Sequence, residues 1–156
     1  LEMYPALKKI ADDNGVDLLI AHVLCHESTP YNRLKELRDA YPEVHFVFDT
    51  KMAVFHDELD ILYSPAGSWM CDEGHIRHYH VNDYGGGYMT WEDLRVLPVG
   101  EGKINFDPFF EHLKKTGYDD TLTVEATAVR KDGTVDTAML NKCFKDIRNY
   151  LTGENK

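Results

Sequence analysis

An α/β fold, a partial β/α barrel of about four parallel strands alternating with helices, follows from three observations on this sequence. Short apolar runs alternate with stretches of helical periodicity. Three of the four runs carry a metal-capable side chain near the C-terminal end: Asp49 after Val47-Phe48, His80 after His78-Tyr79 and Glu125 after Thr123-Val124; the fourth has Ala21 there. Ligands arriving one per strand are what a site at the mouth of such a barrel requires. The third observation is length: 156 residues, where roughly 250 are typical of a complete eight-stranded barrel. The expectation is a half-barrel with one ligand position lacking a donor.

The elements follow in order. Met3, Leu7, Ile10 and Ala11 fall at helical spacing before Gly15, which predicts a helix over residues 2–14 with these four on its packing face. A strand should precede such a helix in a β/α fold, and the chain begins at Leu1. That predicts a fragment, a half-barrel or a shortened chain, with a small open α/β sheet as the alternative. Residues 16–24, apolar and β-branched, read as a buried first strand. Thr29 and Pro30 supply an N-cap and first-turn proline for a helix carrying Leu34 and Leu37 inward. Pro42 disfavours helix at Tyr41, and residues 44–49 form the second strand.

Residues 52–63 hold a short helix with Phe55, Leu59 and Leu62 inward, and residues 64–68, Ser-Pro-Ala-Gly-Ser, break the chain. Residues 76–81 are the third strand. A long loop over 82–102 follows, with Gly85, Gly86, Gly87, Gly100 and Gly102, as in lids and binding loops. Asp107 and Pro108 open a helix with Phe109, Phe110 and Leu113 inward, closed by Gly117, and residues 122–126 are the fourth strand. Leu140, Phe144, Ile147 and Leu151 give the last helix one packing face before Gly153. No repeat or linker divides the chain, so residues 1–156 read as a single domain.

Composition excludes several functions. A balance of 27 acidic against 17 basic residues leaves a net charge of -10, which repels phosphate backbones and anionic bilayers. Nucleic acid and membrane partners are therefore not expected. Cys25, Cys71 and Cys143 form no Cys-x-x-Cys pair, which points to a reducing, cytoplasmic setting. No apolar run approaches the ~18 residues of a membrane span, and no basic-then-apolar leader is recognisable.

Alternation along a strand puts Thr123, Glu125 and Thr127 on one face and Leu122 and Val124 on the other. The apolar face meets the helices, so Glu125 points into the barrel, where a carboxylate needs a partner or a cation. By the same logic His45, Val47 and Asp49 point in, as do His78 and His80. Asp49, His80 and Glu125 make a mixed oxygen and nitrogen set that suits Mn²⁺, Co²⁺ or Mg²⁺, with Zn²⁺ also compatible. Alone, each has a plain structural role open to it: an aspartate can cap a helix, a histidine can be a core hydrogen-bonder, a glutamate can pair with a base.

Lys51 returns to the inward side after Asp49 and could neutralise an anionic substrate. His78, one step below His80, orients the site by hydrogen bonding. Tyr84, Tyr88 and Trp91 surround the glycine-rich loop and could stack on a sugar or anchor the loop. His26-Glu27 begins like a zinc-protease helix, but position 30 is Pro where the second His belongs.

The blocks Phe48-Asp49-Thr50, Ile76-Arg77-His78-Tyr79-His80-Val81-Asn82-Asp83, Gly100-Glu101-Gly102-Lys103-Ile104 and Gly117-Tyr118 through Thr123-Val124-Glu125 resemble the second half of the sugar isomerase/epimerase family, with its xylose-isomerase-like TIM barrel. The resemblance implies a partial TIM barrel and a divalent ion held by Glu, Asp, His and Glu from four strands. Asp49, His80 and Glu125 match three of these; the first glutamate falls at Ala21, and Met52 stands where related epimerases place a histidine. It further implies isomerisation or epimerisation of a small sugar or polyol through an enediolate, with Glu125 as one of two acid-base groups. With Ala21 and only half a barrel, this chain alone is expected to be weak or inactive. His22 should point away if Ala21 points in, and Glu27 follows the strand. Two other readings stand beside it: a non-catalytic half-barrel that pairs its open edges in a homo-oligomer, and a metallonuclease related to endonuclease IV, which the acidic composition opposes.

Overall fold

The computed structural model describes residues 2–26, 28–126 and 128–153. Glu27 and Thr127, to which the sequence assigned a place after the first strand and on the inward face of the fourth, lie outside them. The order of elements is α1 (Tyr4–Asp13), β1 (Leu19–Ala21), α2 (Pro30–Ala40), β2 (His45–Asp49), α3 (Thr50–Phe55), a 3₁₀ turn (Leu59–Tyr63), α4 (Ser68–Asp72), β3 (Ile76–Val81), a second 3₁₀ turn (Trp91–Asp93), α5 (Asp107–Thr116), β4 (Thr121–Val124) and α6 (Thr137–Thr152). The strands form one parallel sheet in the order β1-β2-β3-β4. This is the alternation expected of a partial barrel.

The two faces of the sheet differ as the alternation of residue types requires. Phe46, Phe48, Tyr79 and Val81 are buried against the helical layer, where Leu34, Leu37, Phe109, Phe110 and Leu113 join them. On the opposite face His45, Val47, His78, His80 and Thr123 are only half-buried. The core is therefore on the helical side. Phe46 is wholly buried and meets the edge of Trp69. Phe46→Ala is expected to cost about 3–5 kcal/mol, read as a shift in the denaturant midpoint with an unchanged slope.

Several local predictions match in cause as well as position. The Thr29 hydroxyl accepts the Asn32 N–H at 3.3 Å and Pro30 opens α2. Gly117 and Gly153 end α5 and α6 in the left-handed region, at φ 69° and 80°, which glycine enters without steric cost. The segment predicted as one helix over 52–63 is two short ones, α3 and the first 3₁₀ turn, separated at Asp57, whose φ is 57°. Phe55 and Leu62 are buried as expected. α4, directly after the predicted break, is an element the sequence reading did not contain.

Three expectations are corrected. β1 spans Leu19–Ala21 only, and residues 16–18 and 22–24 lie outside it. α1 buries Tyr4 and Ala11, with Tyr4 packed 4.7 Å from Tyr41, while Met3, Leu7 and Ile10 are exposed. α6 buries Cys143 and Ile147 and stacks Tyr150 on Phe110, leaving Phe144 and Leu151 exposed. In both helices the stripe that packs is rotated from the most apolar one.

Candidate metal centre

The register of the sheet assembles the site. Asp49 pairs with His80 and His80 with Thr123, so the ends of β2, β3 and β4 are level. Glu125 follows two residues after Thr123, and its N–H still reaches the Val81 carbonyl at 3.2 Å. That bond holds the chain in line just past β4 and turns Glu125 to the same face. His80 Nδ1 lies 3.2 Å from Glu125 Oε1 and 3.8 Å from Asp49 Oδ2. One ligand atom from each of the three residues lies within 4.8 Å of the others.

The donor chemistry fits a divalent ion: two carboxylates and an imidazole nitrogen converge from three strands, with Asp49 buried and the other two half-buried at the rim. Asp49 also caps α3, its Oδ1 accepting the Met52 N–H at 2.8 Å. Capping and ligation are therefore compatible in one residue, since the cap uses only one of the two carboxylate oxygens. The pKa of His80 is raised, most strongly by the Asp49 carboxylate, with Glu125 adding to it and burial opposing both.

A residue that the sequence reading left out of the site binds it together. Asn82, wholly buried, donates from Nδ2 to Glu125 Oε2 at 2.7 Å and to Asp49 Oδ2 at 3.3 Å. Its Oδ1 accepts the Lys51 N–H at 2.9 Å, which settles which way the amide faces. The Thr50 hydroxyl holds its backbone, donating to the Asn82 carbonyl at 2.6 Å and accepting its N–H at 3.1 Å. The signal was available: Asn82 is two residues after His80 and shares its face.

The other predicted residues are placed as follows. His78 Nε2 lies 2.7 Å from Thr123 Oγ1, its ring is edge-on to His80 at 5.2 Å, and its pKa is lowered by burial first and then by His80. Lys51 is in the first turn of α3 and buried; the strand ends at Asp49, so the alternation used to place it inward does not reach it. Tyr84 is wholly buried, with its hydroxyl 3.0 and 3.1 Å from the Gly87 and Thr90 carbonyls. Its ring anchors the loop instead of offering a surface to a substrate. Trp91 is partly exposed, stacked on His26 at 4.7 Å and against the edge of Phe55 at 5.1 Å. Ala21 pairs with Val47 on the site's side of the sheet, and His22 points the other way, buried 4.8 Å from Phe48.

The loop over 82–102 is fastened at its base by Asp83, which is 1% exposed. Its Oδ1 accepts the N–H groups of Tyr84 at 2.8 Å and Ile104 at 3.1 Å, and its Oδ2 those of Gly100 and Gly102, both at 2.9 Å. A Cβ on Gly102 would lie 2.2 Å from Asp83 Oδ1, so this approach requires glycine.

Comparison with known proteins adds to the geometry. A family model described as a xylose isomerase-like TIM barrel matches residues 2–143. A xylose isomerase domain protein from Alicyclobacillus acidocaldarius subsp. acidocaldarius superimposes with a TM-score of 0.66 at 18% identity, over 91% of this chain and 53% of that one. An L-ribulose 3-epimerase superimposes with a TM-score of 0.62 at 22% identity, over 95% of this chain and 52% of that one. The chain thus spans about half the length of these solved relatives, and at these identities the likeness is one of fold.

Proposed function

The chain belongs to the xylose isomerase-like TIM barrel family, and from that premise we propose that it supplies the metal-holding half of a barrel that isomerises or epimerises a small sugar or polyol. The observation that carries this reading is the convergence of Asp49, His80 and Glu125 from the ends of three adjacent strands. These residues would hold Mn²⁺, Co²⁺, Mg²⁺ or Zn²⁺. Such an ion, when bound, supplies Lewis acidity toward adjacent carbonyl and hydroxyl oxygens.

The chain's own residues do the rest. Asp49, tied to the start of α3, is the rigid ligand. Glu125 is the more open carboxylate and the group suited to accept or return a proton. His78 keeps the rim ordered through Thr123. Trp91 at the loop surface is the candidate stacking platform for a sugar's C–H face, and Lys51 remains a candidate to balance negative charge near the site. On the β1 side Ala21 offers no second acid-base group, so this chain alone should turn over substrate weakly or not at all. An assay over a panel of ketoses with Mn²⁺ tests this. Robust turnover lost in Glu125→Gln would refute the expected inactivity while supporting the site; robust turnover that survives Glu125→Gln would refute the site.

A second reading, a non-catalytic half-barrel that assembles with copies of itself, is favoured by the exposed apolar residues near the two open edges. Val16 and Val23 flank β1 in the chain, Val129 follows β4, and Ile10, Phe144 and Leu151 are exposed on α1 and α6. Light scattering at high concentration separates the readings, because a clean monomer contradicts assembly. Among the described residues no helix is long and apolar enough to cross a membrane.

A further inference from the structure

We propose that Asn82 is a positioning residue that holds Glu125 to one ligand oxygen, beside an Asp49 that the Met52 N–H already holds to one, biasing the centre toward small divalent ions over calcium. The inference rests on the metal reading above and concerns how the chain shapes that site before an ion arrives. Two carboxylates that converge beside one histidine repel each other, and something must hold them together in the metal-free protein. The Asn82 amide does so by donating to both, at 2.7 Å to Glu125 Oε2 and 3.3 Å to Asp49 Oδ2.

The clamp is rigid because Asn82 is fixed on its other sides. Its Oδ1 is engaged by the Lys51 N–H, its backbone by Thr50, and its side chain is wholly buried. The amide cannot rotate without leaving the Lys51 N–H unpaired, a cost that keeps the donors aimed at the carboxylates.

The consequence concerns denticity. Glu125 Oε2 is occupied by the amide, and Oε1 faces His80. Asp49 Oδ1 is occupied by the Met52 N–H, and Oδ2, which faces His80, takes only the longer 3.3 Å bond from the amide and is its ligand oxygen. Each carboxylate therefore presents one oxygen. Calcium takes six to eight oxygens at about 2.3–2.6 Å and commonly uses carboxylates through both atoms, whereas smaller ions demand fewer and closer ligands. A nitrogen donor from His80 adds to the same preference.

Calorimetric titration of Mn²⁺ and Ca²⁺ into the metal-free chain and two variants, with circular dichroism to verify the fold, tests the inference. Asn82→Ala removes the clamp entirely. Asn82→Asp keeps an acceptor for the Lys51 N–H but replaces the donors with a third carboxylate. Asn82→Ala is expected to weaken Mn²⁺ by about 10–100-fold, the usual effect of losing a residue that orients a ligand. In both variants the preference for Mn²⁺ over Ca²⁺ should fall at least about tenfold, because Glu125, with Oε2 freed, can now take the larger ion through both oxygens. A purely structural asparagine would not move that ratio. A folded variant with the wild-type ratio overturns the inference, and so does failure of both variants to fold, which would make Asn82 a structural residue only. If the unaltered chain binds neither ion, the metal reading itself falls and takes this inference with it.

Discussion

Replacing His80 with alanine is expected to lower Mn²⁺ affinity by more than about 100-fold, since losing a mere orienting neighbour of a ligand costs about 10–100-fold. His80 is the central member of the triad, 3.2 Å from Glu125 and 3.8 Å from Asp49, and supplies the only nitrogen. Without it the two carboxylates face each other across a gap bridged by Asn82 alone. Binding should also depend on pH. The raised pKa of His80, set first by Asp49 and then by Glu125, means that a proton competes with the ion for the ring. Affinity should fall by about tenfold per pH unit below that raised pKa and level off above it. Stability of the metal-free chain should move oppositely. A group whose folded-state pKa is raised stabilises fully below its unfolded pKa, and that contribution disappears as pH rises through the folded pKa. Titrations from pH 5 to pH 8 on the unaltered chain check both signs, and a pH-independent affinity would remove His80 from the ligand set.

Much of this was legible in the sequence because strand alternation is a strong geometric rule. Once Leu122 and Val124 face the helices, Glu125 must face the other side, and the same parity places Asp49 and His80. Parity also marks Asn82, yet its role depends on a third partner, the Lys51 N–H at the start of α3, and where α3 starts is decided by Asp49 itself. Lys51 lies beyond the reach of that rule, because β2 ends at Asp49 and Lys51 belongs to the first turn of α3. Helical periodicity gave less. It finds an apolar stripe on α1 and α6, but Tyr4 and Tyr150 show that an aromatic with a ring to pack against can outweigh a more apolar neighbour in setting which stripe turns inward. Leu7, Ile10, Phe144 and Leu151 stay exposed.

Asp83→Ala is expected to destabilise the chain by about 3 kcal/mol and to loosen the loop after β3. Four backbone N–H groups lose their acceptor, and a buried donor left unpaired costs roughly 1–3 kcal/mol. The sum is not reached, because Gly100 and Gly102 retain access to water while Tyr84 does not. Protease cleavage between residues 84 and 104 should accelerate well before global unfolding, as sub-global opening predicts. The effect should then extend to the metal centre, since Asp83 directly follows Asn82 and its backbone pairs with Leu97 in both directions, at 2.8 and 3.2 Å. That pairing fixes the strand end from which Asn82 reaches Glu125. Weaker Mn²⁺ binding together with faster loop cleavage would mean that the loop and the ligand clamp share one support. Faster cleavage with unchanged binding would mean that the Thr50 and Lys51 bonds suffice to hold Asn82, and that the loop can open while the three ligands stay in place.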